Sequence, residues 1–151
     1  MVVLVILAIA ASMVMLSVSA ASGHALESSA ERLASTLEQA RWQAISTGRR
    51  IAWETPLANA TAQKTNEAQW YDQTQDGVWH LRVAPAAATS LTGLTVTIAQ
   101  PLPAHNGPAR LVLGPEPVGM AACVMLTQDG YTLAVVSDGV SPFTVRRDAR
   151  C

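Results

Sequence analysis

The feature that most constrains the fold of this chain is its uncharged N-terminal run. Residues 1–21 contain no Asp, Glu, Lys or Arg and consist mostly of Val, Leu, Ile, Ala and Met. About 20 apolar residues in an α-helix cross the ~30 Å hydrocarbon layer of a bilayer, because each residue advances ~1.5 Å and the helix satisfies its own backbone hydrogen bonds. The run therefore predicts a transmembrane half-helix, to which we assign residues 1–22.

A cleavable secretory signal is the competing interpretation of the same run. Ala20, Ala21 and Ala25 supply small side chains of the kind that a signal peptidase accepts. Against this interpretation, no Lys or Arg precedes the apolar run, which is longer than the ~7–15 apolar residues usual in a signal. A secreted β-domain enzyme, released by such a cleavage, is the hypothesis that this interpretation leaves open.

The helix is predicted to continue beyond the apolar run as an amphipathic segment, residues 23–48. Apolar side chains recur there at intervals of three and four residues, which places them on one face of a helix. Four of them, expected to pack the helix onto a sheet, are Leu26, Leu33, Leu37 and Ala44.

Charged side chains occupy the other face of this segment, where Glu38 and Arg41 are placed to pair because they stand three residues apart. Gly48 predicts a left-handed cap that ends the helix within about two residues.

Residues 49–151 are predicted to form an antiparallel β domain. Asp-Gly dipeptides favour the positive φ angles of tight hairpin turns, and three of them separate strand-like segments: Asp76-Gly77, Asp129-Gly130 and Asp138-Gly139. The last one predicts a strand over 140–145. Residues 94–98 alternate between apolar and Thr side chains, as half-buried strands do. The four tryptophans are predicted to pack where the helix meets the sheet; they are Trp42, Trp53, Trp70 and Trp79.

The sequence contains no motif that predicts catalysis, a cofactor or a metal site. A Gly-rich phosphate loop, a nucleophile elbow, a His-Glu-x-x-His helix and a paired-cysteine motif are all absent from it. The histidines His24, His80 and His105 are scattered and suggest no triad or metal cluster. A net charge of -1 gives no global reason to expect nucleic acid as a partner.

The two cysteines, Cys123 and Cys151, leave two interpretations open. In an oxidising compartment a disulfide between them would close a loop of roughly 28 residues and stabilise the fold by about 3–4 kcal/mol in the chain-entropy model. Alternatively Cys123 is a small buried strand residue and Cys151 a free thiol, since the sequence does not show that their Cα atoms approach within ~7 Å.

Three parts of the sequence together resemble type IV pilin-like proteins. They are the apolar start, the helix exit Arg41-Trp42-Gln43-Ala44-Ile45-Ser46-Thr47-Gly48-Arg49, and the run over residues 136–145. The helix exit and the late run are similar to those of minor pseudopilin H of type II secretion systems and its FimT-like pilus relatives. The resemblance and the residue pattern agree on an α+β, pilin-like fold: a long N-terminal helix, membrane-embedded in its first half and amphipathic in its second, packed on an antiparallel β-sheet domain.

The resemblance implies a minor pseudopilin, a structural subunit of the type II secretion pseudopilus involved in protein export across the outer membrane. It implies a single-pass inner-membrane protein with its C-terminal domain in the periplasm. The implied partners are other pseudopilins, major and minor, and the inner-membrane secretion platform. Family members are cleaved and N-methylated by a prepilin peptidase, which applies here if the true start lies upstream of Met1.

In such a subunit the membrane half of the helix packs against neighbouring helices, and small side chains allow close approach. The residues expected to make these contacts are Leu4, Ile6, Ala8, Ala10, Ala11 and Ser12.

The alternative is a FimT-like minor type IV pilin involved in pilus assembly or in DNA binding and uptake. Arg146, Arg147 and Arg150 form a modest cluster that would contact phosphates in that case. Asp148 dilutes the charge of this cluster, and the Gly-Arg-x-Arg tail of DNA-binding relatives is absent from the sequence. We therefore rank a solvated tail ahead of DNA contact.

Overall fold

The computed structural model describes the backbone of residues 2–55, 68–85, 91, 93–99, 110–148 and 150–151, with side chains from Gly23 onward. The described residues form one helix, α1 (Val2–Thr47), followed by eight strands. The strands are β1 (Ile51–Glu54), β2 (Gln69–Gln73), β3 (Trp79–Arg82), β4 (Thr95–Ile98), β5 (Arg110–Leu113), β6 (Ala122–Gln128), β7 (Tyr131–Ser137) and β8 (Thr144–Arg146).

Helix α1 is 46 residues long, which corresponds to roughly 70 Å at ~1.5 Å per residue. It ends at the predicted glycine cap: Gly48 has a φ of 67°, which a residue without Cβ adopts at little cost. The Arg49 N–H then donates to the Ala44 carbonyl oxygen at 3.2 Å, the six-to-one bond of a Schellman cap. The predicted helix end is therefore confirmed.

The apolar stripe of the helix is buried along its whole predicted length. Each of its six side chains is at most 2% exposed; they are Leu26, Ala30, Leu33, Leu37, Ala40 and Ala44. They pack in one core with Trp53 and Leu111 from one sheet and Val124 and Val135 from another. Helix α1 contacts strands of both sheets described below, so its apolar face covers both of them.

The strands form two antiparallel four-stranded sheets, in the orders β3-β2-β1-β5 and β4-β6-β7-β8. Two predicted hairpins are confirmed, β2–β3 around Gly77 and β6–β7 around Asp129-Gly130. Asp129 and Gly130 have φ angles of 49° and 83°, as a tight two-residue hairpin turn requires. The predicted alternation of the fourth strand is confirmed as well, because Val96 and Ile98 are half-buried against the core and the threonines are exposed.

The predicted strand over residues 140–145 is wrong in its start. Strand β7 ends at Ser137 and β8 begins only at Thr144, so residues 138–143 form a loop. The carboxylate of Asp138 accepts hydrogen bonds from the N–H groups of Val140 at 2.9 Å and Ser141 at 2.6 Å, which curls the chain after the turn. Pro142 then lacks the N–H that a strand ladder needs.

The prediction for the tryptophans is right for two of them and wrong for Trp42. Trp53 and Trp70 are 1% and 2% exposed, and their ring centroids lie 6.4 Å apart in the core. Trp42 is 62% exposed, because it stands two residues from Ala40 and Ala44 and so about 200° around the helix from the buried stripe. Trp79 is half-buried, with the Arg110 guanidinium 5.5 Å from its ring centroid.

In the structure Cys123 and Cys151 are joined by a disulfide, with their Cα atoms 5.6 Å apart. Val124 and Leu126 point into the core, so Cys123 lies on the outer face of the second sheet, since successive strand side chains alternate. The C-terminal residue is thus attached to the sheet face that points away from the helix.

Two further sequence expectations fall largely on undescribed residues. The polar stretch over residues 55–69 predicts a long loop, and the prolines of residues 101–108 predict a break between strands. The first segment lies for the most part, and the second entirely, outside the described residues. From Gly23 onward, where the structure describes side chains, no helix combines the length and the apolar character needed to cross a membrane.

We expect residues 25–151 to fold as a soluble fragment, because the helix contributes side chains to the described core from Leu26 onward. Circular dichroism should show helix and sheet signals that melt cooperatively. A matched fragment, residues 38–151, removes Leu26, Leu33 and Leu37 from the core and should fail to fold. A disordered spectrum for the longer fragment would contradict the division into an N-terminal half-helix and an independently folding part, residues 25–151, which we call the head.

Candidate functional site

The most elaborate polar arrangement of the head lies where the end of α1 meets the loop at residues 138–143. Arg41, only 8% exposed, reaches from the helix into this loop. Its guanidinium donates to the carbonyl oxygen of Ser141 at 3.1 Å, to that of Pro117 at 3.2 Å and to that of Gly139. One buried cation therefore holds two separate loops against the helix.

Glu38, one helical turn before Arg41, binds the same loop as a hydrogen-bond acceptor, whereas Arg41 binds it as a donor. Its Oε2 accepts a hydrogen bond from the Phe143 N–H at 3.2 Å, and the Phe143 side chain is buried in the core. A cation thus takes the carbonyl oxygens of the loop and an anion takes one of its N–H groups. Such charge-assisted bonds are about twice as strong as neutral ones.

The predicted pairing of Glu38 with Arg41 is wrong, since the ion pairs among the described residues do not include it. Both side chains point toward the loop, whose backbone offers partners of both kinds. In a buried setting these bonds outweigh a surface pair at i, i+3, which contributes only a few tenths of a kcal/mol. Arg41 was also expected on the wet face, and it is buried instead.

The two loops that Arg41 holds are in direct contact with each other. The Gly119 N–H donates to the Gly139 carbonyl oxygen at 2.8 Å. Gly139 has a φ of 89°, and a Cβ built on it would lie 2.1 Å from the Gly119 oxygen. Only glycine fits at residue 139, because a side chain there would clash with backbone atoms that cannot move away easily.

Asp138 stabilises the loop from within. The N–H groups of Ser141 and Val140, and then the Ser141 hydroxyl, lower the pKa of the Asp138 carboxyl by hydrogen bonding to its charged form. A lowered folded-state pKa means that this carboxylate favours the folded loop above the ordinary carboxyl pKa, and that the benefit is lost as the pH falls through the folded-state pKa.

The loops held in this way present apolar side chains to solvent. Val118, Met120 and Val140 are 66%, 65% and 66% exposed, and they stand on the two segments that the Gly119–Gly139 hydrogen bond joins. We call them the loop patch. Apolar side chains on loops whose backbone is fixed are well suited to contact another protein, because little conformational entropy is lost on binding.

The site residues proposed from the sequence are placed as follows. Leu26, Leu33, Leu37 and Ala44 lie in the core between helix and sheets, and the two cysteines are joined. The membrane set lies outside the residues whose side chains are described; it consists of Leu4, Ile6, Ala8, Ala10, Ala11 and Ser12.

The three C-terminal arginines do not form one cluster of free charge. Arg146 pairs with Asp148 at 2.5 Å and Arg147 pairs with Glu27 of the helix at 2.5 Å. Arg150 is exposed and lines an open cleft on the outer face of the second sheet. Two of the three guanidinium groups are therefore already partly neutralised within the chain.

Sequence reasoning missed Arg41 and Glu38 as a site and saw only part of the signal for Asp138. An Asp side chain in a turn commonly accepts a hydrogen bond from the backbone about two residues later. The turn at Asp138 was therefore open to prediction. The burial of Arg41 was open to prediction only in part: it stands four residues after Leu37 and three before Ala44, at the border of the apolar stripe. The spacing does not show which distant carbonyl oxygens bind its guanidinium.

We expect Arg41→Met to destabilise the head by roughly 1–3 kcal/mol, because buried carbonyl oxygens lose their donor. Arg32→Met is the matched control: Arg32 is an exposed residue of the same helix, and its replacement should change the free energy of unfolding by less than about 0.5 kcal/mol. Urea unfolding of both variants measures the difference. Equal stability of the two would show that Arg41 does not hold the loops.

A comparison with known protein families gives a match over most of the described fold. The family described as type II transport protein GspH matches residues 29–146, well over half of the chain. The matched region begins in the amphipathic half of α1, ends with β8 and contains Arg41 and both loops that it binds. No match is found among curated proteins or among solved structures. The chain therefore belongs to the GspH family of type II transport proteins.

Proposed function

We propose that this protein is a minor pseudopilin, a structural subunit of the type II secretion pseudopilus that takes part in protein export across the outer membrane. Membership of the GspH family carries the proposal, because the match covers the helix-on-sheets head almost completely. The subunit acts mechanically in a polymer rather than as a catalyst, with no cofactor.

The length of helix α1 supports a membrane anchor. The core contacts described for the helix start at Leu26, and the helix before that residue measures on the order of 35 Å at ~1.5 Å per residue. This length matches the ~30 Å hydrocarbon layer, and residues 1–21 carry no charge. We therefore assign residues 1–22 to the inner membrane, 23–48 to the amphipathic half of the helix and 49–151 to a periplasmic β domain.

Polymerisation supplies the reason for such an anchor. A helix drawn from the bilayer loses its lipid contacts, and close packing against neighbouring helices replaces them. Ala8, Ala10, Ala11 and Ser12 are small enough for this approach, and Leu4 and Ile6 extend the surface. These contacts are proposed to be with other pseudopilins, major and minor. The inner-membrane platform adds the subunit to the polymer. A prepilin peptidase cleaves and methylates the subunit if translation starts upstream.

The loop patch is the surface of the head that we assign to neighbouring pseudopilins. Its side chains Val118, Met120 and Val140 are exposed while the backbone beneath them is bound to Arg41. The FimT-like alternative, with DNA as partner, rests on Arg146, Arg147 and Arg150. The ion pairs of Arg146 and Arg147 with Asp148 and Glu27 reduce the charge available for phosphates, so secretion is favoured over DNA uptake.

We expect Val5→Arg and Ala10→Arg each to abolish membrane anchoring or assembly, because a charge near the centre of the bilayer costs roughly 2.5–3.5 kcal/mol on insertion scales. Ser35→Arg is the matched control, since Ser35 is exposed on the amphipathic half of the same helix. Membrane fractionation and a secretion assay in the host measure the outcome. Normal fractionation and normal secretion in both membrane-half variants would refute the anchor.

A further inference from the structure

The C-terminal segment is attached to the rest of the molecule at two points on opposite sides of the second sheet. On the helix side, Arg147 forms an ion pair with Glu27 of α1, 120 residues away in sequence. On the outer side, Cys151 is bonded to Cys123 of β6. The described residues of the segment are therefore bonded on both faces of the sheet.

The strand that comes directly before Arg147 holds the segment only weakly. Strand β8 is only three residues long and pairs with β7 alone, through Thr144, Val145 and Arg146. Val145 packs against the core, whereas Arg146 pairs with Asp148 inside the segment itself. So short an edge strand frays easily, and fraying would carry Arg147 away from the helix.

An open cleft of about 430 Å³ lies between residues 23–27 of α1 and strand β7, lined by Gly23, His24, Thr132 and Arg147 among others. The Glu27–Arg147 pair spans this cleft. The arginine also lowers the pKa of the Glu27 carboxyl, chiefly through its hydrogen bond, so both groups are charged at neutral pH.

We propose that the C-terminal segment is a strap: the Cys123–Cys151 disulfide holds Arg147 in reach of Glu27, and the strap thereby fastens residues 23–30 of helix α1 to the head. Its consequence rests on the proposed function, since in an anchored subunit residues 23–30 join the membrane half to the head. The strap then sets how stiffly the head is carried on its anchor.

Hydrogen exchange of the full chain in detergent micelles, followed by mass spectrometry, tests the strap. Exchange in residues 23–30 reports the joint, and exchange in residues 122–137 reports the core of the second sheet. Arg147→Ala should raise exchange at the joint on the order of two- to fivefold, the range expected for an exposed ion pair. Glu27→Gln should do the same. Arg146→Ala is the matched control, because its pair with Asp148 stays within the segment, and it should leave the joint unchanged.

The disulfide is tested on the unmodified chain. A phosphine reductant converts it to two thiols, taking up the oxygen of a water molecule as phosphine oxide while the water hydrogens go to the sulfurs. Exchange at the joint should then rise, by no more than in Arg147→Ala, and reduction of Arg147→Ala should add nothing further there. Unchanged exchange at the joint after reduction, or effects of reduction and mutation that multiply, would overturn the proposal.

If a variant or the reduced chain also loses protection in residues 122–137, the oxidised unmodified chain provides the decisive measurement. Raising the salt concentration screens an exposed pair without altering the fold, so exchange at the joint should increase while the core stays protected. No increase would overturn the strap. None of these measurements depends on secretion, so a failure of the strap and a failure of the proposed function are told apart.

Discussion

Burial of one face of helix α1 is the interaction on which the rest of the head depends. Leu26, Leu33 and Leu37 lie in one core with side chains of both sheets, and helix α1 contacts strands of both. Neither sheet has another described element to cover its inner face. Completely burying side chains of this size contributes about 1.5–3 kcal/mol each. Because the same stripe covers the inner faces of both sheets, the helix cannot leave one sheet without exposing the other.

The polar junction around Arg41 adds orientation to this apolar contact. Transfer of a guanidinium group out of water is costly unless its N–H groups are all bonded, and here carbonyl oxygens from Pro117, Gly139, Val140 and Ser141 serve as partners. An apolar stripe alone tolerates some sliding and rotation. Hydrogen bonds with fixed directions do not, so the junction defines one register of loops on helix and one shape for the loop patch.

The C-terminal arginines form ion pairs within the chain, which changes the interpretation of their charge. A row of arginines suggests nucleic acid when it is seen in a sequence, because free guanidinium groups attract phosphates. In the folded chain Arg147 is used to reach Glu27, and Arg146 to reach Asp148. The same residues that suggested a binding site for DNA therefore contribute to holding the helix and the tail, which agrees with a structural role in a secretion polymer.

The sequence by itself determined the helix, its glycine cap and the tight hairpins, since these depend on neighbours within a few positions. The signals are the spacing of three and four residues from Leu26 to Ala44, the left-handed Gly48 and the Asp129-Gly130 turn. Only the tertiary structure decided the partition into two sheets, in which β1 pairs with the distant β5 and β4 with β6. It also decided the burial of Arg41, the exposure of Trp42 and the approach of Cys123 to Cys151. Local periodicity says which face of an element is apolar, but the partner of each face, and of each charge, is set by which distant segments pack together without leaving buried polar groups unpaired.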